Sequence, residues 1–255
     1  ATAHNKTRSK NQRQRVKEKA PNWLAAVAEN KLPKAQHKAA KAYENKLIQP
    51  DLIPVSAASP AGWNLVTRDE QLRPESTLEG MKDLKTPFRP HGKVTAGNAS
   101  PLTDGATVSL LAGARAIKEL NLKPRMKLVS FAFAGVEPEI MGIGPIPATE
   151  KALRLAGLGI DDIGLIEINE AFAVQVIAFL EHFGIADDDP RVNPYGGAIA
   201  VGHPLASSGV RLMINLARTF EAHPEVRYGI TTMCIGLGMG GTVIWENPHF
   251  NGGNK

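Results

Sequence analysis

From Lys127 to Trp245, apolar runs of strand length alternate with longer stretches of helical period, and that alternation leaves few architectures open to the chain. Strands are expected over Lys127 to Ala134 and Ile163 to Ile168. Between them, Gly142-Ile143-Gly144-Pro145 leads into a helix over Ala148 to Ala156, stopped by Gly157, and Asp161-Asp162 makes a turn. Asn169 is placed to cap a helix whose Phe172, Val176, Phe179, Leu180 and Phe183 share one face, with Gly184 as its stop. A helix from Leu205 to about Phe220 follows. The run closes with a strand at Tyr228 to Met233, a glycine-rich turn from Cys234 to Gly241 and a strand at Thr242 to Trp245. Alternating strands and helices that end in a strand pair predict an α/β layered domain, its mixed sheet covered by helices.

Upstream the pattern weakens. Leu24, Val27, Ala28, Leu32, Ala35, Ala39, Ala42 and Tyr43 recur near helical spacing but are interrupted by Pro33, which predicts two helices and a turn. Residues 50–92 are rich in Pro and turn formers, with one short strand expected at Leu52 to Val55, and read as an irregular subdomain. At Lys93 the texture changes: Val94-Thr95-Ala96 reads as a short strand, residues 97–103 as a loop, and Asp104 as the N-cap of a helix to about Leu120, with Pro124 just past its end.

At 255 residues the chain holds one large or two small domains, and an apolar content of 43% argues against disorder of the whole. No apolar run approaches the roughly 18–20 residues that span a bilayer, and no signal sequence opens the chain, so it reads as soluble and not secreted. The single cysteine, Cys234, rules out an internal disulfide and fits a reducing compartment, either the cytoplasm or an organelle matrix in a eukaryote. No spacing of His or carboxylates suggests a metal; His182, His223 and His249 read as surface or packing residues. The chain starts at Ala1 without a methionine, which suggests a processed or truncated product.

Charge is unevenly placed. Residues 1–46 net +9 while the whole chain nets +5, so the other 209 residues are acidic on balance. Lys6, Arg8, Lys10, Arg13, Arg15, Lys17 and Lys19 form a basic run without aromatics, open to nucleic acid or an anionic surface but equally a solvated segment.

Chemistry is expected where polar residues stand at element ends. Asn169 follows a strand, Cys234 follows a strand, and His203 precedes a helix in Asn193-Pro194-Tyr195-Gly196-Gly197-Ala198-Ile199-Ala200-Val201-Gly202-His203-Pro204. Pro204 suits a first helical position, so His203 is expected at a helix N-terminus, where the dipole disfavours imidazolium. Strand ends and helix N-termini of α/β folds face a common crevice, in which a Cys and a His could exchange a proton and an Asn amide could hold water or a developing negative charge. Singly, each also has a plain packing or capping role. The run Gly236 to Gly241 is followed by a strand instead of a helix, so it fits a hairpin better than a nucleotide-binding loop.

Asn169-Glu170-Ala171-Phe172, the Gly-Gly-Ala-Ile-Ala-x-Gly-His-Pro core of residues 193–204, and Cys234-Ile235-Gly236 with its following glycines resemble three C-terminal signatures of the thiolases. Met141-Gly142-Ile143-Gly144-Pro145 and Thr95-Ala96-Gly97-Asn98-Ala99-Ser100 extend the resemblance over roughly residues 75–247. It implies an acyl-CoA acetyltransferase that makes or cleaves 3-ketoacyl-CoA, with coenzyme A as cosubstrate and neither cofactor nor metal. It also implies roles. His203 would activate a nucleophilic cysteine and form one oxyanion hole with a water held by Asn169. Cys234 would be the acid/base at the acetyl-CoA methyl carbon, and the Gly236 N–H would serve a second oxyanion hole. Ala99 and Ser100 would bind substrate, Ser100 at the pantetheine arm, and Met141 and Phe172 would shape the acyl pocket.

Thiolases acylate a second cysteine, carried in their N-terminal half, and this chain has only Cys234. The expected division is residues 1–92 as the basic segment and end of a loop subdomain, 93–124 as the last strand and helix of the N-terminal thiolase domain, and 125–255 as the C-terminal thiolase domain. Activity would then need the nucleophile from another polypeptide, in a homo- or hetero-oligomer that engages no nucleic acid. The alternative is a non-catalytic acyl-CoA-binding or interaction subunit with the same fold. Pro101-Leu102-Thr103 departs from the commoner Gly-Ile-Asn, which bears on acyl-chain length.

Overall fold

The computed structural model describes residues 23–252 except Arg89, with side chains described from Lys34 onward; the basic run Lys6 to Lys19 lies outside the described residues. Four strands make the main sheet: β3 (Lys127–Gly135), β4 (Ile163–Ile168), β5 (Tyr228–Ile235) and β6 (Met239–Glu246). Their order is β3-β6-β5-β4, with β4 and β5 parallel and the other pairs antiparallel, so the sheet is mixed as the alternation predicts. A separate hairpin joins β1 (Val55–Ser59) to β2 (Gly62–Val66). The strand therefore starts at Val55, where the expected one ended.

The strand–turn–strand at the C-terminus is tighter than expected. Cys234 is paired with Gly240 inside the ladder, and only residues 236–238 turn, with Leu237 and Gly238 at positive φ (65° and 85°). The outer edge of β4 is covered by the chain at 191–193, since Ile166 donates to the Arg191 carbonyl (2.9 Å) and Asn193 donates to the Ile166 carbonyl (2.9 Å). Burial of that edge explains why β4 is apolar at nearly every position.

One face of the sheet carries α4 (Pro145–Ala156) and α5 (Ala173–Phe183), packed on a core that includes Ile163, Ile166, Ile168, Phe179, Leu180 and Ile244. Both helices end on glycines at φ 68°, Gly157 and Gly184, where the left-handed cap was expected. A chain of buried hydroxyls ties α4 to the sheet: Thr149 to Thr242 (2.8 Å) and Thr242 to Thr232 (2.7 Å). The start of α4 lies backbone to backbone on β6, and a Cβ at Gly240 would overlap the Gly144 carbonyl group.

The other face carries α7 (Ser208–Ala222), whose Leu216 and Phe220 pack with Leu165 and Trp245. Phe131 and Phe133 of β3 lie opposite Val243 and Gly241, hence on this same face. They stay more than half exposed, because α7 lies over β4 and β5 and leaves the β3 end of the face bare. A long α1 (Trp23–Glu44) seats Ala35 and Ala39 against Ile177, Ile199 and Ala200, the last two from the short α6 (Ala198–Val201).

Several expected boundaries are corrected. The helix continues through Pro33 instead of breaking. Val94 to Ala96 is turn and irregular chain, and the helix expected from Asp104 to Leu120 is reduced to α3 (Ala114–Glu119), which leaves residues 101–113 without regular structure. The remaining short helix, α2 (Leu78–Lys82), is capped by the Thr77 hydroxyl. Among the described residues no helix is long and apolar enough to cross a membrane.

Candidate active site

Neighbouring parallel strands deliver two of the expected residues to one end of the sheet. Asn169 leaves the C-terminal end of β4 with its N–H still bonded to the Thr232 carbonyl of β5 (2.9 Å), and Cys234 lies two residues beyond Thr232 on the same strand. Asn169 therefore extends the strand. The helix that it was expected to cap begins at Ala173, with Phe172 in the cap position. The Asn169 side chain, fully buried, is thereby left to bond other side chains of the site.

The loop that brings His203 is wound around a buried carboxylate. Asn193, at φ 43°, pairs its side-chain amide with both backbone groups of Ile168 (2.8 and 2.9 Å) and donates to Glu170 Oε1 (3.0 Å). Glu170 Oε2 accepts the Ile199 N–H at the start of α6 (3.4 Å). Gly197 lies so close to this carboxylate that a Cβ would overlap it. After α6, Gly202 at φ 97° turns the chain against Thr103, and His203 follows.

His203 stands five residues ahead of α7, not at its N-terminus, because Pro204 to Ser207 form a separate turn. The expectation that it is neutral still holds for another reason: burial, then the positive Arg211, pushes its pKa below the usual imidazole value. Its Nε2 meets Asn169 Nδ2 at 3.2 Å and its Nδ1 meets Ser208 Oγ at 2.6 Å.

Cys234 joins through a residue that the sequence pattern hides. Its Sγ donates to Gln175 Oε1 (3.3 Å), and Gln175 Nε2 donates to the Asn169 backbone carbonyl (3.1 Å). Burial raises the thiol pKa and so favours its protonated form. Gln175 sits 3% exposed in the otherwise apolar run of α5, and that lone amide was the available signal.

The expected substrate residues stand beside this cluster. Ala99 bridges Phe172, Ser100 donates to the Ala171 carbonyl (2.9 Å), and the Phe172 ring meets Phe88 edge-on at 6.3 Å. Met141 lies in a 3-10 turn over Pro138–Ile143, where Gly142 packs against the Gln175 side chain. Gly236 is exposed on the β5–β6 turn, two residues beyond Cys234, and a Cβ there would meet nothing within 4 Å.

Beneath the cluster lie buried ionisable groups absent from sequence reasoning. Glu167, buried in β4, is pushed up to about 8 by desolvation, and its Oε2 accepts from Asn215 (3.4 Å). Arg211 donates from Nη2 to Asn169 Oδ1 (3.3 Å), and burial lowers its pKa.

Two family models match the chain: the thiolase N-terminal domain over residues 28–115 and the thiolase C-terminal domain over residues 122–247. The 3-oxoadipyl-CoA/3-oxo-5,6-dehydrosuberyl-CoA thiolase of Escherichia coli (strain K12) is 46% identical over 215 residues, 84% of this chain and 53% of that protein. A 3-ketoacyl-CoA thiolase of Idiomarina loihiensis is 49% identical over 71% of this chain and 47% of its own length. The chain thus spans about half the length of the curated relatives that it matches. The crystal structure of the Bacillus anthracis acetyl-CoA acetyltransferase superposes with a TM-score of 0.82 at 33% identity, over 88% of this chain and 56% of that one. That of human mitochondrial 3-ketoacyl-CoA thiolase gives 0.79 at 33%, over the same shares. With both family models matched in order and the layered α/β fold in common, the chain belongs to the thiolase family.

Proposed function

We propose that this chain supplies the acid/base half of a thiolase site, acting on 3-ketoacyl-CoA or on acetyl-CoA with an acyl-CoA, and that its nucleophilic cysteine comes from residues beyond this sequence. The observation that carries the reading is the continuous run Cys234–Gln175–Asn169–His203, in which a protonated thiol and a neutral imidazole share one hydrogen-bonded frame. In the cleavage direction, His203 takes the proton of the incoming cysteine thiol, whose sulfur attacks the 3-keto carbon. The C2–C3 bond breaks, its electron pair goes to C2, and Cys234 protonates that carbon to give acetyl-CoA. Coenzyme A then gives its thiol proton to the Cys234 thiolate and its sulfur attacks the acyl carbon, and the nucleophile leaves as a thiol with the proton held on His203.

Asn169 with a water, and the Gly236 N–H, are assigned the two oxyanion holes; one such donor is typically worth ~3–4 kcal/mol of transition-state stabilisation. Ala99 and Ser100 are assigned to substrate binding, Ser100 at the pantetheine arm, and Met141 and Phe172 to the acyl pocket. No step calls for a metal. The division at residues 92 and 124 and a cytoplasmic location belong to the same reading.

Need for a second polypeptide, or for a preceding part of a longer chain, is supported by bare apolar surface. Leu102, Val108, Leu110 and Leu111 are each more than three quarters exposed in the irregular segment 101–113, and Phe131 and Phe133 are bare on β3. Patches of this kind mark interaction faces. The test is thiolytic cleavage of acetoacetyl-CoA by the chain alone and after assembly with a polypeptide carrying an N-terminal thiolase half. Turnover only in the assembly is expected; turnover by the chain alone, or none in the assembly, would contradict the proposal.

A further inference from the structure

Four hydrogen bonds run in series through the histidine, and the groups at the two ends of the series leave each bond only one direction. Arg211 Nη2 faces Asn169 Oδ1 at 3.3 Å. A guanidinium can only donate, so the Asn169 atom facing it is the carbonyl oxygen, and the atom facing His203 is the amide nitrogen. Asn169 Nδ2 therefore donates to His203 Nε2 (3.2 Å), which must be unprotonated to accept. In a neutral imidazole the proton then sits on Nδ1 and is donated to Ser208 Oγ at 2.6 Å. The Ser208 hydroxyl passes its own proton to the Pro204 carbonyl (3.2 Å), which can only accept.

We propose that Arg211 and Ser208 are positioning residues that hold His203 as its Nδ1–H tautomer, with the base-competent lone pair on Nε2. The inference rests on the reading of His203 as the base, and it adds how the base is kept ready. When a thiol proton reaches Nε2, it displaces the donated Asn169 amide. The S–H bond breaks with its electron pair left on sulfur, and the new Nε2–H bond makes an imidazolium whose Nδ1–H stays on Ser208.

The energetics of Arg211 point the same way. Its Nε and Nη1 are buried without a partner among the described residues, as is Glu167 Oε1. Each such orphan gives up its hydrogen bonds to water without replacement, so a guanidinium here weakens the fold relative to an apolar side chain of similar length. A group that costs stability and bonds the catalytic amide is explained by orientation.

Nitrogen-15 spectra of the histidine-labelled chain, in the complex in which it purifies, read the tautomer directly, with His203 assigned by the signal lost in His203→Gln. The expected wild-type pattern is a protonated Nδ1 and a bare Nε2. Arg211→Met lets the Asn169 amide turn over, and Ser208→Ala removes the acceptor of Nδ1–H; each is expected to move population to the Nε2–H form, whereas Arg211→Lys, still a donor-only cation, holds the wild-type tautomer. Turnover of the assembled enzyme should fall ~10-fold or more in kcat with KM little changed, a part of the ~10²–10⁴ that general acid–base help supplies. A wild-type Nε2–H tautomer, or a wild-type pattern in the Ser208→Ala chain and in the Arg211→Met chain if that one folds, would overturn the proposal. Because the spectra need no turnover, failure of the relay and failure of the thiolase reading are told apart.

Discussion

Replacing Gly197 by alanine tests whether the loop around Glu170 is what sets the histidine in place. The backbone there has φ −135°, open to any residue, so the substitution adds a methyl group and no torsional strain. That methyl would stand 2.7 Å from Glu170 Cγ and overlap the carboxylate itself. To make room, Glu170 must leave Asn193 Nδ2 (3.0 Å) and the Ile199 N–H (3.4 Å). Two buried hydrogen bonds at ~0.5–1.5 kcal/mol each, plus ~1–3 kcal/mol for overpacking, less ~0.4–1 kcal/mol for the stiffer unfolded chain, give a net loss of about 3 kcal/mol. Gly236→Ala is the control, because a Cβ there meets nothing within 4 Å, and its change should stay within ~0.5 kcal/mol. Urea unfolding of the two variants beside the parent measures both numbers. A Gly197→Ala chain as stable as the Gly236→Ala chain would refute the claim that the carboxylate organises the loop.

Glu167 makes stability depend on pH. Its folded pKa of about 8 exceeds the ordinary 4.5, so its contribution is full below 4.5 and is lost as pH rises through 8. Glu167→Gln should abolish that decline, and parallel melting curves of parent and variant across this window would exclude it. His203 titrates with the opposite sign, its folded pKa lying below the ordinary 6.5: stability is retained above 6.5 and falls away as pH drops through the lower folded value. His203→Gln should flatten that acid-side slope in the same melts. Thr149→Val interrupts the buried hydroxyl chain to Thr242 and Thr232 and should cost ~1 kcal/mol in urea unfolding; an unchanged midpoint would mean that those hydroxyls are satisfied elsewhere.

Much of this was legible where local chemistry decides. Gly157 and Gly184 stop their helices because they adopt the left-handed cap, and β4 spans the residues that its apolar run marks. Asn169 and Cys234 reach one end of the sheet because adjacent parallel strands finish together, and the loop wound around Glu170 brings His203 to Asn169. What failed to show was tertiary. Pro33 costs a helix ~3 kcal/mol, yet α1 runs on because Ala35 and Ala39 are buried against α5 and α6. Residues 104–113 have helical spacing but bury no face, and an unburied face gives a helix little to gain. Gln175, Ser208 and Arg211 lie on helices whose facing is set by packing across the sheet, so nothing in their local pattern marks them as partners of Cys234, His203 and Asn169.

The central claim is that Cys234 moves protons and never carries the acyl group. The most direct measurement is intact mass and product formation of the assembled Cys234→Ser enzyme after mixing with acetyl-CoA. Acetyl-enzyme that accumulates without acetoacetyl-CoA is the predicted result; undiminished condensation would contradict the account.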